Sequence, residues 1–151
     1  MIIEMEAKMK KMAIFSIAFL LAVCMPLNGQ AADFDGSRPI LCSPITVIEC
    51  TPSVDRTVSA DSIGLPQFIM IDVARKKAWP ATDREAKRSS EIKRIERLGG
   101  KLILQGADEG IDKKREAVSW TATITEATGK FILTAAGEQV AFVVFGACLQ
   151  Q

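Results

Sequence analysis

The sequence predicts an all-β fold: a small antiparallel meander of about seven to nine short strands closed into a barrel or sandwich. Three observations carry this. Val118, Trp120, Ala122 and Ile124 alternate strictly with Ser119, Thr121, Thr123 and Thr125, the period of a half-buried strand. Glu126-Ala127-Thr128-Gly129 then offers a short loop whose glycine takes positive φ and returns the chain into 130–135 as a hairpin. Upstream, the apolar runs are short, rich in β-branched residues and bounded by glycine or proline, with no broad helical stripe among them.

The elements follow in chain order. Residues 45–50 and 67–73 are β-branched runs expected as strands, and 57–60 is a short partner. Residues 82–98 are ambiguous, because Thr82 and Glu85 form a capping box while Ile92, Ile95 and Leu98 give only a thin apolar stripe. The expectation is a charged loop or one helical turn over 82–90, then a strand arm ending at Gly99-Gly100. Residues 101–105 are the next strand, and Ala136-Gly137-Glu138 turns the chain into the last. In 139–148, Val140, Phe142 and Val144 alternate with Ala141, Val143 and Phe145, so both faces are apolar and the strand is expected to be central and covered twice.

The amino terminus reads as a targeting segment. Residues 12–32 carry no charge, but the strongly apolar part ends near Met25, too short for a spanning helix of about 20 residues. With Lys8, Lys10 and Lys11 ahead and Gly29-Gln30-Ala31 behind, 1–31 is expected to be a signal peptide cut before Ala32, and a cut one residue later fits almost as well. Glu4 and Glu6 are unusual there, and Met9 is an alternative start. Leu21-Ala22-Val23-Cys24 resembles a lipoprotein processing site that would anchor the chain through Cys24, although β-branched Val23 fits its slot poorly. Release to the periplasm, with no membrane anchor, is the expectation; the lipoprotein is the alternative.

Residues 32–151 are then one all-β domain. Three of the 19 basic and two of the 18 acidic residues leave with the signal, so the remainder is electrically balanced and gives no global attraction to nucleic acid. Between Arg75 and Lys101, ten Lys or Arg face Asp83, Glu85, Glu91 and Glu96. That excess is either a basic face for an anionic ligand or an ordinary solvated surface.

After cleavage Cys42, Cys50 and Cys148 remain, an odd number in an oxidising compartment. Eight residues of strand span about 26 Å and bridged Cα atoms lie within about 7 Å, so pairing Cys42 with Cys50 needs a sharp reversal. Cys42–Cys148, locking the first strand to the last, is preferred; Cys50 is left as a free thiol, with Cys50–Cys148 the alternative.

No histidine and no tyrosine is present, which excludes Ser-His-Asp and Cys-His catalysis and His-ligated metals. No phosphate loop or nucleophile elbow occurs, and Ser90-Glu91-Ile92-Lys93 matches Ser-x-x-Lys without its companion motifs. Asp108, Glu109 and Asp112 supply too few oxygens for a calcium loop. No catalytic residue, metal or cofactor is therefore assigned. Trp120 reads as core, whereas Trp79, next to Arg75, Lys76 and Lys77, is a candidate for a ligand-binding rim.

Asp33-Phe34-Asp35-Gly36-Ser37 with Leu41-Cys42, then 102–106, Thr128-Gly129 and Phe145-Gly146-Ala147-Cys148, resemble a group of uncharacterised secreted proteins of Gram-negative bacteria, over the whole mature length. The resemblance implies an envelope β protein and brings no activity. It also implies a further cysteine soon after Cys50, which Val54-Asp55-Arg56 lacks. The chain is thus expected to be a non-enzymatic periplasmic module for a small apolar or anionic ligand or for an envelope protein. A structural role, or an enzyme using carboxylates or Cys50, is the alternative.

Overall fold

A computed structural model describes residues 33–108 and 117–151. The signal segment, Cys24, Glu109 and Asp112 lie outside the described residues.

Among the described residues nine strands follow one another: β1 (Ile40–Cys50), β2 (Asp55–Val58), β3 (Ile69–Asp72), β4 (Lys77–Pro80), β5 (Ser90–Arg97), β6 (Lys101–Asp108), β7 (Val118–Thr125), β8 (Lys130–Ala136) and β9 (Ala141–Gln150). All pairings are antiparallel, and β9 closes on β1 along its whole length, from Ile40 opposite Gln150 to Cys50 opposite Ala141. The other edge of β1 is shared: its first half pairs with β3 and its second half with β2. The result is an eight-stranded closed barrel running β1, β3, β4, β5, β6, β7, β8, β9, with β2 as one extra strand. The all-β barrel expected from the sequence is the fold found.

Alternation decides what faces in. Ala122 and Ile124 of β7, Leu102 and Leu104 of β6, Phe131 and Leu133 of β8 and Val144 of β9 are buried and meet inside the ring. Together with Ile40, Cys42, Val47, Ile71 and Ile92 they form one apolar core, so the middle of the barrel is filled by side chains. Phe34 closes the lower end. Its amide donates to the Glu126 carbonyl at 3.0 Å, and its ring packs where Gly129, at φ 65°, leaves no Cβ in the way. That glycine is the positive-φ position expected of the hairpin.

Two bulges bend the walls so that the sheet can close. In β1 the register with β9 slips between Pro44 and Thr46, and in β5 the register with β6 slips between Ile92 and Arg94. Gly146, opposite Pro44, is required by the first: a Cβ there would lie 2.2 Å from the Ser43 carbonyl oxygen.

Most expected elements are present. Residues 81–89 are loop and β5 follows, as expected. Two differ. Strand β4, with Trp79, is read in the sequence only as a rim, because four residues ending in proline carry no alternation. Strand β9 is central, flanked by β1 and β8, but it is not covered twice, since Phe145 and Leu149 on its outer face are 42% and 67% exposed.

Candidate functional site

The residues singled out in the sequence sit on the β3–β4 hairpin. Lys76 closes its turn at φ 54°, its amide donating to the Val73 carbonyl at 3.2 Å. Asp72, 8% exposed, organises that turn by accepting from the Arg75 amide at 2.9 Å and pairing with the Arg75 guanidinium at 3.5 Å. Lys77 lies opposite both Asp72 and Glu91 in the ladder. The Glu91 carboxyl is held below its usual range chiefly by Lys93, with Lys76 and Lys77 contributing.

Part of the wider basic run is paired in place. Lys87 meets Glu85 at 2.5 Å, Arg94 meets Glu96 at 2.5 Å, Lys93 pairs with Glu91, and Arg97 reaches Glu126 at 3.7 Å and the Asp35 carbonyl. These four cations are spread over exposed pairs rather than gathered round one point.

Trp79 shares the outer face of β4 with Lys77, two residues before it. Ala78 packs on the core, so Trp79 points outward, where Met70 is its cross-strand neighbour. Trp120 points inward: its indole lies over Gly106 and its Nε1–H donates to Ser90 Oγ at 2.9 Å. The core reading of Trp120 matches this position.

Cys42 and Cys148 form a disulfide on the inner face, Cα to Cα 4.0 Å, joining β1 to β9. Cys50 is free and half-buried at the far end of β1, opposite Asp55. Partial burial first, and the Asp55 carboxylate second, push its thiol above the ordinary value and keep it protonated. Among the described residues no group of three or more Cys, Asp or Glu is gathered as a metal would need.

What the sequence reading missed lies on the outer wall. Four outward residues form a row across adjacent strands: Trp79 on β4, Met70 on β3, Leu41 on β1 and Leu149 on β9. A second row holds Ile45 at the β1 bulge, Phe145 on β9 and Ile132 on β8, with Phe68 beside the first. Exposure is 73% for Ile45, 67% for Leu149, 48% for Phe68 and 42% for each of Phe145 and Ile132. Scattered apolar residues are ordinary on a surface; here two rows lie across five strands, with Ser43, Ala147 and Lys130 between them. The signal that points to it is the two-faced apolar run of β9, whose outer half is left exposed among the described residues.

The cavities agree with a filled barrel. The larger, about 470 Å³, is lined mainly by outward residues of β6 to β9, among them Gln105, Thr121, Thr134 and Val143. A second, about 320 Å³, lies between the β8–β9 turn and Cys50. Both are open depressions rather than a lumen. Comparison with protein-family models, with curated proteins and with solved structures finds no match to this chain.

Proposed function

We propose that this chain is a secreted, non-enzymatic interaction module of a Gram-negative cell envelope, released before Ala32, that works by docking a protein on the outer wall of its barrel. The observation that carries the reading is the contrast between the two sides of the same strands. Inside, buried apolar side chains pack together as one core; outside, Ile45, Phe145, Leu149 and their neighbours present apolar side chains to water. Apolar surface in water costs roughly 25 cal/mol per Å², and a partner that covers it recovers that free energy. A small apolar ligand seated in the 470 Å³ depression is a second reading, favoured by the volume and disfavoured by its openness.

The test places a photo-crosslinking amino acid at Phe145, and separately at Lys93 on β5, in protein secreted by the producing cell. Protein adducts at Phe145 and none at Lys93 are expected. Absence of protein adducts at Phe145, with a small molecule retained by the purified protein, overturns docking in favour of ligand carriage.

A further inference from the structure

We infer that the outer face of β4 and β5 binds an acidic polysaccharide, whose anionic groups meet Lys76, Lys77 and Lys93 and one of whose sugar rings lies on Trp79. This site does not rest on the docking of a protein around Phe145. It starts from the surroundings of one carboxylate. Lys77 is opposite Glu91 in the β4–β5 ladder, and the Ile92 amide donates to the Lys76 carbonyl at 2.9 Å, which sets the tip of the β3–β4 hairpin against the start of β5. Lys93, two residues along β5, pairs with Glu91. The same carboxyl is held below its usual range by Lys93 first, then by Lys76 and Lys77. Three cations therefore gather round a single anion. Lys76 and Lys77 are exposed and form no ion pair with a described residue, and Asp72, across the ladder from Lys77, is engaged by Arg75.

These charges continue as a track. Trp79 stands on the outer face of β4, about 7 Å along the strand from Lys77. Past Pro80 the loop 81–89 carries Arg84 and Arg88, both exposed and without an acidic side-chain partner among the described residues. Along the chain, cations thus precede and follow one half-buried aromatic ring. The hairpin tip also carries strain. Lys76 sits at φ 54°, a region that glycine or asparagine enters more easily, so the turn holds a lysine there against its own backbone preference.

The pattern of charge selects the ligand. Glu91 and Glu96 alternate with Lys93 and Arg94 along β5. Duplex DNA carries one charge per ~1.7 Å of its axis, and an anionic bilayer is a continuous negative surface; either would press like charge onto these carboxylates. An acidic polysaccharide spaces its charges by a sugar ring and places hydroxyl groups between them. Its anions can sit on the lysines while its hydroxyls donate to Glu91 and Glu96. Trp79 offers an apolar platform for the C–H face of a ring, with the indole N–H as a polar handle at its edge.

The experiment is calorimetric titration of the mature chain with oligogalacturonate, which carries a carboxylate on every ring, at about 50 and 200 mM salt. Binding is expected at the lower salt and weakening at the higher. Methyl-esterified oligogalacturonate, the same rings without the charge, is expected not to bind. Lys76→Glu with Lys77→Glu is expected to weaken binding at least about tenfold, and Trp79→Ala about threefold or more. Lys101→Glu with Lys130→Glu makes the same change of net charge on β6 and β8, and is expected to stay within about twofold of wild type. Far-UV circular dichroism of every variant is expected to match wild type. A wild type that does not bind overturns the site, as does equal binding of the esterified form or an equal loss in the β6–β8 variant. Tighter binding to a DNA duplex, or to vesicles containing phosphatidylglycerol, overturns the polysaccharide even if the Lys76 and Lys77 substitutions abolish it.

Discussion

Cys50 shows how one inserted residue changes what a side chain does. By simple alternation Cys42 and Cys50, eight apart, would share a face; Cys42 is fully buried inside the barrel. The bulge at Ile45 shifts the parity, so Val47 and Glu49 follow Cys42 inward and Cys50 turns outward beside Asp55. At about pH 8 the raised thiol holds less thiolate than an unperturbed cysteine, so iodoacetamide labels it slowly. Asp55→Asn removes the neighbouring negative charge, lowers the thiol toward its ordinary value, and is expected to speed labelling about threefold. An unchanged rate would show that burial alone governs the thiol. The disulfide is a second residue-scale test. Cys42 and Cys148 are separated by 106 residues, and replacing both by alanine is expected to cost 2–4 kcal/mol in urea unfolding, below the ~4.7 kcal/mol of the loop-entropy limit. The pairing was legible in advance because a strand cannot double back between Cys42 and Cys50. The outward turn of Cys50 was not, since a bulge leaves no mark in a hydrophobic pattern beyond a proline in an otherwise regular strand.

At the scale of the element, legibility followed alternation. Strand β7 could be read residue by residue because only its inner face is apolar, with Ala122 and Ile124 buried and the threonines outside. Strand β4 could not, because Lys77–Pro80 is too short for a period to register. The last strand is legible in half: its central place follows from its apolar run, whereas the exposure of its outer face does not, because the described strands leave Phe145 and Leu149 uncovered. The β1 bulge gives the sharpest element-scale prediction. Ile45 is 73% exposed, so Ile45→Ala is expected to change monomer stability by no more than about 0.5 kcal/mol. Deleting Ile45 removes the extra residue, keeps Thr46 opposite Phe145 with Val47 and Glu49 still inward, and takes away only the bend of the bulge. That deletion is expected to cost about 1–3 kcal/mol in thermal or urea unfolding. Equal stability of the two variants would mean the bulge is not needed to close the sheet.

For the whole molecule, the distribution of surface types matters more than any single site. The barrel is packed within, carries a series of exposed ion pairs along β5, and leaves apolar side chains exposed on the outer faces of β1, β9 and β8. Of the candidate residues, Lys77 and Trp79 share the outer face of β4, whereas Arg75 and Lys76 lie in the β3–β4 turn, where Arg75 pairs with Asp72. The turn is not visible in the sequence, because neither Arg75 nor Lys76 is a residue that marks one. The most direct test of the outer wall as working surface is the native mass of the protein recovered from the producing cell. The account predicts a mass above that of the single chain, from a protein docked on it, with no small molecule aboard; a single chain carrying a small companion that leaves on denaturation would contradict it.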